Sequence, residues 1–350
     1  MPSPPPDRIR ERRFAAARRI AVQHERMLSR WPRSTRLFDA LIRRILTVFA
    51  RCELPRSVGL MELAIVALPG AWPSAGSHES RGLWYGNRLM LDCSDYFQRF
   101  AFALGRYHEV PIQLLMRRAL RTGDTAIDGG ANIGLLSIIA AWCVGPSGRV
   151  YALEPNPEIF ARLARHARAN ALSQLTPLPI GLSDREEELE LRVPGADNSG
   201  AATFAPVPER YGGVIQHQSV ARVARADALP NLQIHGELFV KLDVEGFEFR
   251  ALRGMTTLID THHPLIVCEI NDEMLAMAGS CRAQVFEFMS ERGYFPFAFE
   301  ARRAIVRLRR LVLRSIEPST DTLPFDVVWL HPEGAHMKRL RGSIVAPTTG

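Results

Sequence analysis

The sequence predicts an α/β fold built as a doubly wound sheet, and three observations predict it. In residues 124–134 an apolar run ends in Asp128, a glycine-rich turn follows, and Ile133 to Trp142 then carries a helical pattern. That is strand, tight loop, helix, a junction that points backbone N–H groups and a helix N-terminus at whatever lies above the strand end. The next unit repeats the plan: Arg149 to Leu153 is rich in β-formers and ends in Glu154, and Pro155 and Pro157 stop the strand and open a helix through Asn170. The alternation then continues. Strands are expected at Leu175 to Leu182, Leu238 to Asp243 and Leu265 to Ile270, with helices at Phe247 to Leu258 and Ala283 to Glu291. Alternating βα units point to a parallel sheet covered on both faces.

The glycines restrict the ligand. A dinucleotide fingerprint needs G-x-G-x-x-G, whereas here Gly129, Gly130 and Gly134 are the glycines and Asn132 stands between them. No G-K-[ST] occurs, which excludes a P-loop. What remains is Asp-x-Gly-x-Asn-x-Gly from Asp128 to Gly134. Glu154 follows where a nucleotide fold sets a carboxylate on ribose hydroxyls. The loop resembles the S-adenosylmethionine loop of class I methyltransferases. That ligand carries a sulfonium, an amino-acid tail and a ribose but no phosphate, so a carboxylate at the strand end suits it. Taken alone, the same loop fits any α/β protein with a tight βα turn.

Four ordered segments carry a more specific resemblance: Ile127 to Gly134, Glu154-Pro155-Asn156-Pro157, Ile180-Gly181-Leu182-Ser183-Asp184, and Lys241-Leu242-Asp243-Val244-Glu245-Gly246-Phe247-Glu248. Together they resemble the FkbM family of methyltransferases over about residues 95–330, and the Lys-x-Asp-Val-Glu-Gly-x-Glu segment is the most specific part. One departure is Gly129, where the family usually has an apolar residue; it is expected to loosen the strand end slightly. Gly105 to Glu109 resembles the family's Gly-x-Tyr-Glu lead-in with one residue inserted.

The resemblance implies a class I methyltransferase, Rossmann-like doubly wound sheet whose last strand is antiparallel, with an N-terminal helical extension added. It implies S-adenosyl-L-methionine as cofactor and a hydroxyl of a sugar, glycan or other secondary metabolite as acceptor. By that resemblance Asp128, Gly130, Asn132 and Gly134 frame the methionine moiety, Glu154 takes the ribose hydroxyls and Asp184 the adenine amine. Asp243 lies nearest the reacting methyl and Glu245 one step beyond, both as catalytic residues. The competing role for Asp243 and Glu245 is to cap the helix that follows, where carboxylates are favourable. Asp243 with Glu269 and Asn271 ends neighbouring strands, and oxygen ligands of this kind suit magnesium; the divalent-metal variant is the less favoured course and no metal ligand is assigned. His217 reads as a surface histidine rather than a base.

Bulk properties narrow the classes further. The five cysteines, Cys52, Cys93, Cys143, Cys268 and Cys281, are widely spaced with no C-x-x-C, which argues against a zinc site or disulfide framework. The formal charge is +7, yet residues 1–60 hold 14 Arg and 5 acidic residues, so the rest of the chain is 7 − 9 = −2. The basic balance is therefore no argument for nucleic acid, and no nucleic-acid partner is expected. Residues 34–51 form an amphipathic helix pattern with Leu37, Leu41, Ile45 and Val48 on one face and arginines on the other. Such a helix packs on its own protein more often than it makes peripheral contact with a membrane or a partner. No apolar leader is visible, and a cytoplasmic location is expected. The domain plan is a 1–75 Arg-rich extension with linker, 76–120 lead-in helices, a 121–335 methyltransferase domain and a 336–350 flexible tail.

Overall fold

The computed structural model describes residues 77–82, 86–194, 199–207, 215–305, 308–317 and 324–345, with part of 41–49. The chain divides into two compact units, Met1–His108 with Arg303–Arg309, and Glu109–Arg302 with Arg310–Gly350. In the first, β1 (Ser77–Arg81) and β2 (Arg88–Asp92) form an antiparallel hairpin. Its turn passes through Gly86 at φ +64°, a conformation that glycine adopts without penalty. Helix α1 (Tyr96–Leu104) starts where the Asp95 carboxylate accepts the Gln98 N–H at 2.9 Å.

The second unit holds α2 (Val110–Ala119), β3 (Thr125–Gly129), α3 (Leu135–Val144), β4 (Arg149–Leu153), α4 (Pro157–Ala169) and β5 (Leu175–Leu178). Next come β6 (Gly181–Leu182), β7 (Glu187–Pro194), β8 (Ile215–Ala224), β9 (Leu238–Leu242), α5 (Glu248–Arg253), α6 (Thr256–His262) and β10 (Leu265–Glu269). The chain closes with α7 (Asp272–Met277), α8 (Arg282–Ser290), β11 (Phe295–Ile305), β12 (Leu308–Ser315), β13 (Asp326–Leu330), α9 (Ala335–Leu340) and β14 (Ile344–Val345).

The large sheet runs β14-β12-β11-β13-β10-β9-β3-β4-β5. Strands β5, β4, β3, β9 and β10 are mutually parallel, and β13 lies antiparallel between β10 and β11. This is the expected Rossmann-like doubly wound sheet with a reversed late strand. The chain winds outward from β3 through β4 to β5, then returns to place β9 beside β3. The strand order therefore switches between β3 and β9, and ligands of open α/β sheets bind above such a point. All five residues of β3 and of β9 are buried, as expected for central strands covered on both faces.

Several local expectations differ from the structure. The third strand ends at Leu178, where Pro177 and Pro179 interrupt it, and Gly181–Leu182 joins a separate three-stranded sheet of order β6-β8-β7. Ser199–Ala201 is a short 3-10 turn, followed by a single bridge between Arg192 and Thr203. Residues 302–305 and 308–314 lie in β11 and β12. Of the expected 336–350 tail, residues 336–345 continue α9 into a 3-10 turn and β14, and 346–350 lie outside the described residues. Leu340 is fully buried, Arg339 is bonded to Asp124, and β14 pairs in parallel with β12. Where 41–49 is described it is helical, and Leu41, Ile45 and Val48 are exposed at 55%, 59% and 62%. The remainder of the 34–51 helix and of the 1–75 extension lies outside the described residues. Among the described residues no helix is long and apolar enough to cross a membrane.

Candidate active site

The loop after β3 is shaped by backbone constraints. Gly130 and Ala131 both donate to the Leu153 carbonyl, at 3.1 and 3.0 Å, so the chain turns across the end of β4. Gly130 sits at φ +73°, and a Cβ there would lie 1.8 Å from the Asp243 carbonyl oxygen. Only glycine lets the loop cross β9 this closely. Asn132 holds a left-handed conformation at φ 50°, and its side chain accepts the Ile133 N–H at 2.7 Å. Gly134, at φ +86°, opens α3. Gly129 does not leave the strand end loose. It stays in the ladder, opposite Leu153 and Leu242, and Leu182 Cδ1 fills the space 2.7 Å from where its Cβ would be.

Asp128 is 2% exposed. Its Oδ2 accepts the Ser137 hydroxyl at 2.5 Å, while its buried Oδ1 makes no hydrogen bond and lies 3.5 Å from Lys241 Nζ. Glu154 accepts the Asn156 N–H on Oε1 and the Asn132 N–H on Oε2, each at 2.9 Å. Burial pushes its carboxyl up to about 7 in spite of those bonds and the nearby Lys241 charge. Each oxygen keeps a further lone pair for a diol.

Asp243 follows β9 directly, with its N–H on the Gly129 carbonyl at 3.2 Å and its Oδ2 3.1 Å from Lys241 Nζ. Glu245 occupies the left-handed region at φ 48°, and its carbonyl accepts the Thr203 hydroxyl at 2.7 Å. Beneath the turn Glu248 accepts the Val244 and Gly246 N–H groups, each at 3.0 Å, and burial pushes it up to about 7. The carboxylate that holds this helix start is thus Glu248, the first residue of α5, while Asp243 faces Lys241.

Oxygens of Asp243, Glu245 and Glu269 lie within 4.8 Å of one another. Burial, together with the charges of Asp243 and Glu245, raises Glu269 well above the usual carboxylate range. Asn271, the third residue of the metal variant, uses its Oδ1 to cap α7 by accepting the Glu273 and Met274 N–H groups at 3.2 and 3.3 Å. The oxygen set available to a hard cation is therefore Asp243, Glu245 and Glu269.

Asp184 is ion-paired to three arginines. Its Oδ1 is 3.0 Å from Arg250 Nε and 3.4 Å from Arg185 Nε, and its Oδ2 is 3.4 Å from Arg253. Burial works against the charge, but the Arg250 hydrogen bond and charge hold the carboxyl below its usual range. Its place past β6, in the smaller sheet, follows from the early end of β5. His217 is exposed on β8, as expected for a surface histidine. Three participants were not assigned roles in the sequence: Ser137, Thr203 and Lys241. Only Lys241 left a signal there, as one of two lysines among 44 basic residues.

The crevice thus gathers Asp128, Glu154, Lys241 and Asp243 around one glycine-rich loop at the strand switch. Residues 128–296 match the family model described as the methyltransferase FkbM domain. Over those residues the chain is similar to the FkbM methyltransferase family. The matched segment contains every residue of this crevice and the small sheet beside it. The chain is 28% identical over 161 residues to the hexuronic acid methyltransferase AglP of Haloferax volcanii, across 45% of this chain and 59% of that protein. It therefore spans less than two thirds of that relative. Among solved structures it is similar to a methyltransferase FkbM from Methylobacillus flagellatus (17% identity, 68% of this chain and 55% of that one, TM-score 0.38). It is also similar to TYW2 of M. jannaschii in complex with AdoMet (11% identity, 74% and 89%, TM-score 0.35).

Proposed function

We propose that this chain is an FkbM-type, S-adenosylmethionine-dependent methyltransferase acting on a hydroxyl of a sugar or glycan. One observation carries the reading: the buried Asp128 Oδ1, without a hydrogen-bond partner, lies beside the Gly130–Gly134 cradle and opposite Glu154. A cationic ligand with a vicinal diol satisfies those groups. The sugar class is supported by the name of the Haloferax relative.

S-adenosylmethionine, when bound, supplies an electrophilic methyl on a sulfonium. The chain contributes placement. Glu154 accepts the two ribose hydroxyls, and Asp128 with the loop from Gly130 to Gly134 holds the amino-acid end. Asp243 stands at the strand end nearest the reacting carbon. There it would take the proton of the acceptor hydroxyl while the bound cofactor supplied the methyl group. Glu245 is held one step away by Thr203 and by the turn that Glu248 pins. A divalent cation on Asp243, Glu245 and Glu269 would serve the same hydroxyl, and loss of product when the labelling reaction below is repeated with a chelator tests it.

The test is mass spectrometry of sugars and glycans incubated with the protein and methyl-deuterated S-adenosylmethionine, run beside calorimetry with S-adenosylhomocysteine. A deuteromethylated product is expected, with binding lost in Asp128→Ala and Glu154→Ala. Binding unaltered in both variants would remove the site assignment. Absence of both product and binding would remove the function.

A further inference from the structure

Lys241 is one of two lysines, with Lys338, among 44 Lys and Arg residues. Lys338 is exposed on α9, whereas Lys241 sits in β9, where every residue is buried. A charge in a central strand is costly unless it is paired. The ammonium lies 3.1 Å from Asp243 Oδ2, 3.2 Å from the Gly130 carbonyl and 3.5 Å from Asp128 Oδ1. An ammonium has three N–H groups, and three acceptor oxygens surround it: Asp243 and Gly130 within hydrogen-bond reach, and Asp128 Oδ1 as an ion pair without a hydrogen bond. A guanidinium donates in a planar fork and does not close on three points around one nitrogen. This chain uses arginine at nearly every other basic position, so lysine here answers a geometric demand.

The three acceptors belong to different parts of the crevice. Asp128 ends β3 and stands directly opposite Lys241 in the ladder. Gly130 is the loop residue that crosses β9, and Asp243 leaves the far end of β9. Burial disfavours the charged amine, but the Asp243 and Asp128 charges outweigh it, so the amine stays protonated.

We propose that Lys241 is a positioning residue that ties the cofactor side of the crevice, Asp128 and Gly130, to the acceptor-side carboxylate of Asp243 through one ammonium. This rests on the methyltransferase reading above. Lys241 touches neither reactant in that reading; it sets the separation of the groups that do. Bound cofactor therefore changes its surroundings, as does any change of charge at Asp243.

Two lysines make the test direct. Protein labelled with nitrogen-15 at the lysine side chains gives two ammonium resonances, and Lys338→Arg removes one and so assigns both. Adding S-adenosylhomocysteine is expected to move the Lys241 resonance and leave Lys338 in place. Asp243→Asn is expected to move the Lys241 resonance in the free protein. Lys241→Arg, which keeps the charge, is expected to weaken S-adenosylhomocysteine about tenfold by calorimetry. If the ligand binds the parent protein but the Lys241 resonance is still, or if Asp243→Asn leaves it unmoved, the proposal is overturned. Wild-type affinity in a folded Lys241→Arg variant overturns it as well. Should Lys241→Arg fail to fold, the two resonance arms decide alone. Absence of S-adenosylhomocysteine binding to the parent protein would instead refute the function, and this inference with it.

Discussion

Glu154 is held by two backbone N–H groups and still has its carboxyl raised to about 7, because burial outweighs both bonds. The sign of the stability effect follows. Between its ordinary value of 4.5 and about 7, the native chain keeps a proton that the unfolded chain has released. This group therefore favours folding most at low pH, and its contribution declines as pH rises through that window. Ligand binding has the opposite slope, because the ionised carboxylate accepts both hydroxyls. S-adenosylhomocysteine affinity is expected to rise between about pH 6 and 8, with Glu154→Gln flattening the profile in calorimetry. Glu248 is raised to about 7 as well but faces the Asp243–Gly246 turn, so Glu248→Gln is expected to keep the slope. The acidic strand ends Asp128, Glu154 and Asp243 were legible in the sequence because each closes an apolar run. Ser137 was not, since a serine inside an apolar helix gives no sign of the strand end it meets.

At the scale of elements, the loop from Gly130 to Gly134 depends on close approach. Gly130→Ala is expected to abolish S-adenosylhomocysteine binding, because the methyl group would meet the Asp243 carbonyl in a backbone conformation that already disfavours it. Gly134→Ala meets only the end of the Leu163 side chain at 2.4 Å and should be the milder of the two in the same assay. The segment between β7 and β8 acts on the other side of the crevice. Thr203 is 1% exposed, donates to the Glu245 carbonyl and accepts the Ala205 N–H at 3.0 Å. Thr203→Val is expected to raise the acceptor KM severalfold while S-adenosylhomocysteine affinity stays unchanged, separating acceptor placement from cofactor binding. The alternation of Glu186 to Val193 is a local strand signal that fits β7, whereas the extent of β8 depends on pairing partners distant in sequence.

At the scale of the whole second unit, the start of β3 is anchored by residues near position 339. Arg339 pairs with Asp124, also donates to the Ala119 carbonyl at 2.7 Å, and leaves Asp124 to accept the Arg121 and Glu237 N–H groups. Asp124 is 3% exposed, so removing its cation strands a buried charge. Arg339→Ala is expected to cost about 3–5 kcal/mol in urea unfolding, far more than a surface ion pair. This bond joins positions 215 residues apart and has no local signature, which is why the C-terminal segment read as a tail.

The sequence by itself determined the βα alternation, the glycine-rich loop and the acidic residues that close β3, β4 and β9. Those are local: hydrophobic period, strand-stopping prolines and the spacing of glycines act within a few residues. Tertiary structure decided which of them share a crevice. The return of β9 to the side of β3 sets Asp243 near Asp128 and gives the buried Lys241 its three acceptors, while the break after Leu178 carries Asp184 into the arginines of α5 and its neighbours. Strand order and the packing of charges are set by contacts between distant segments, and no local pattern encodes them.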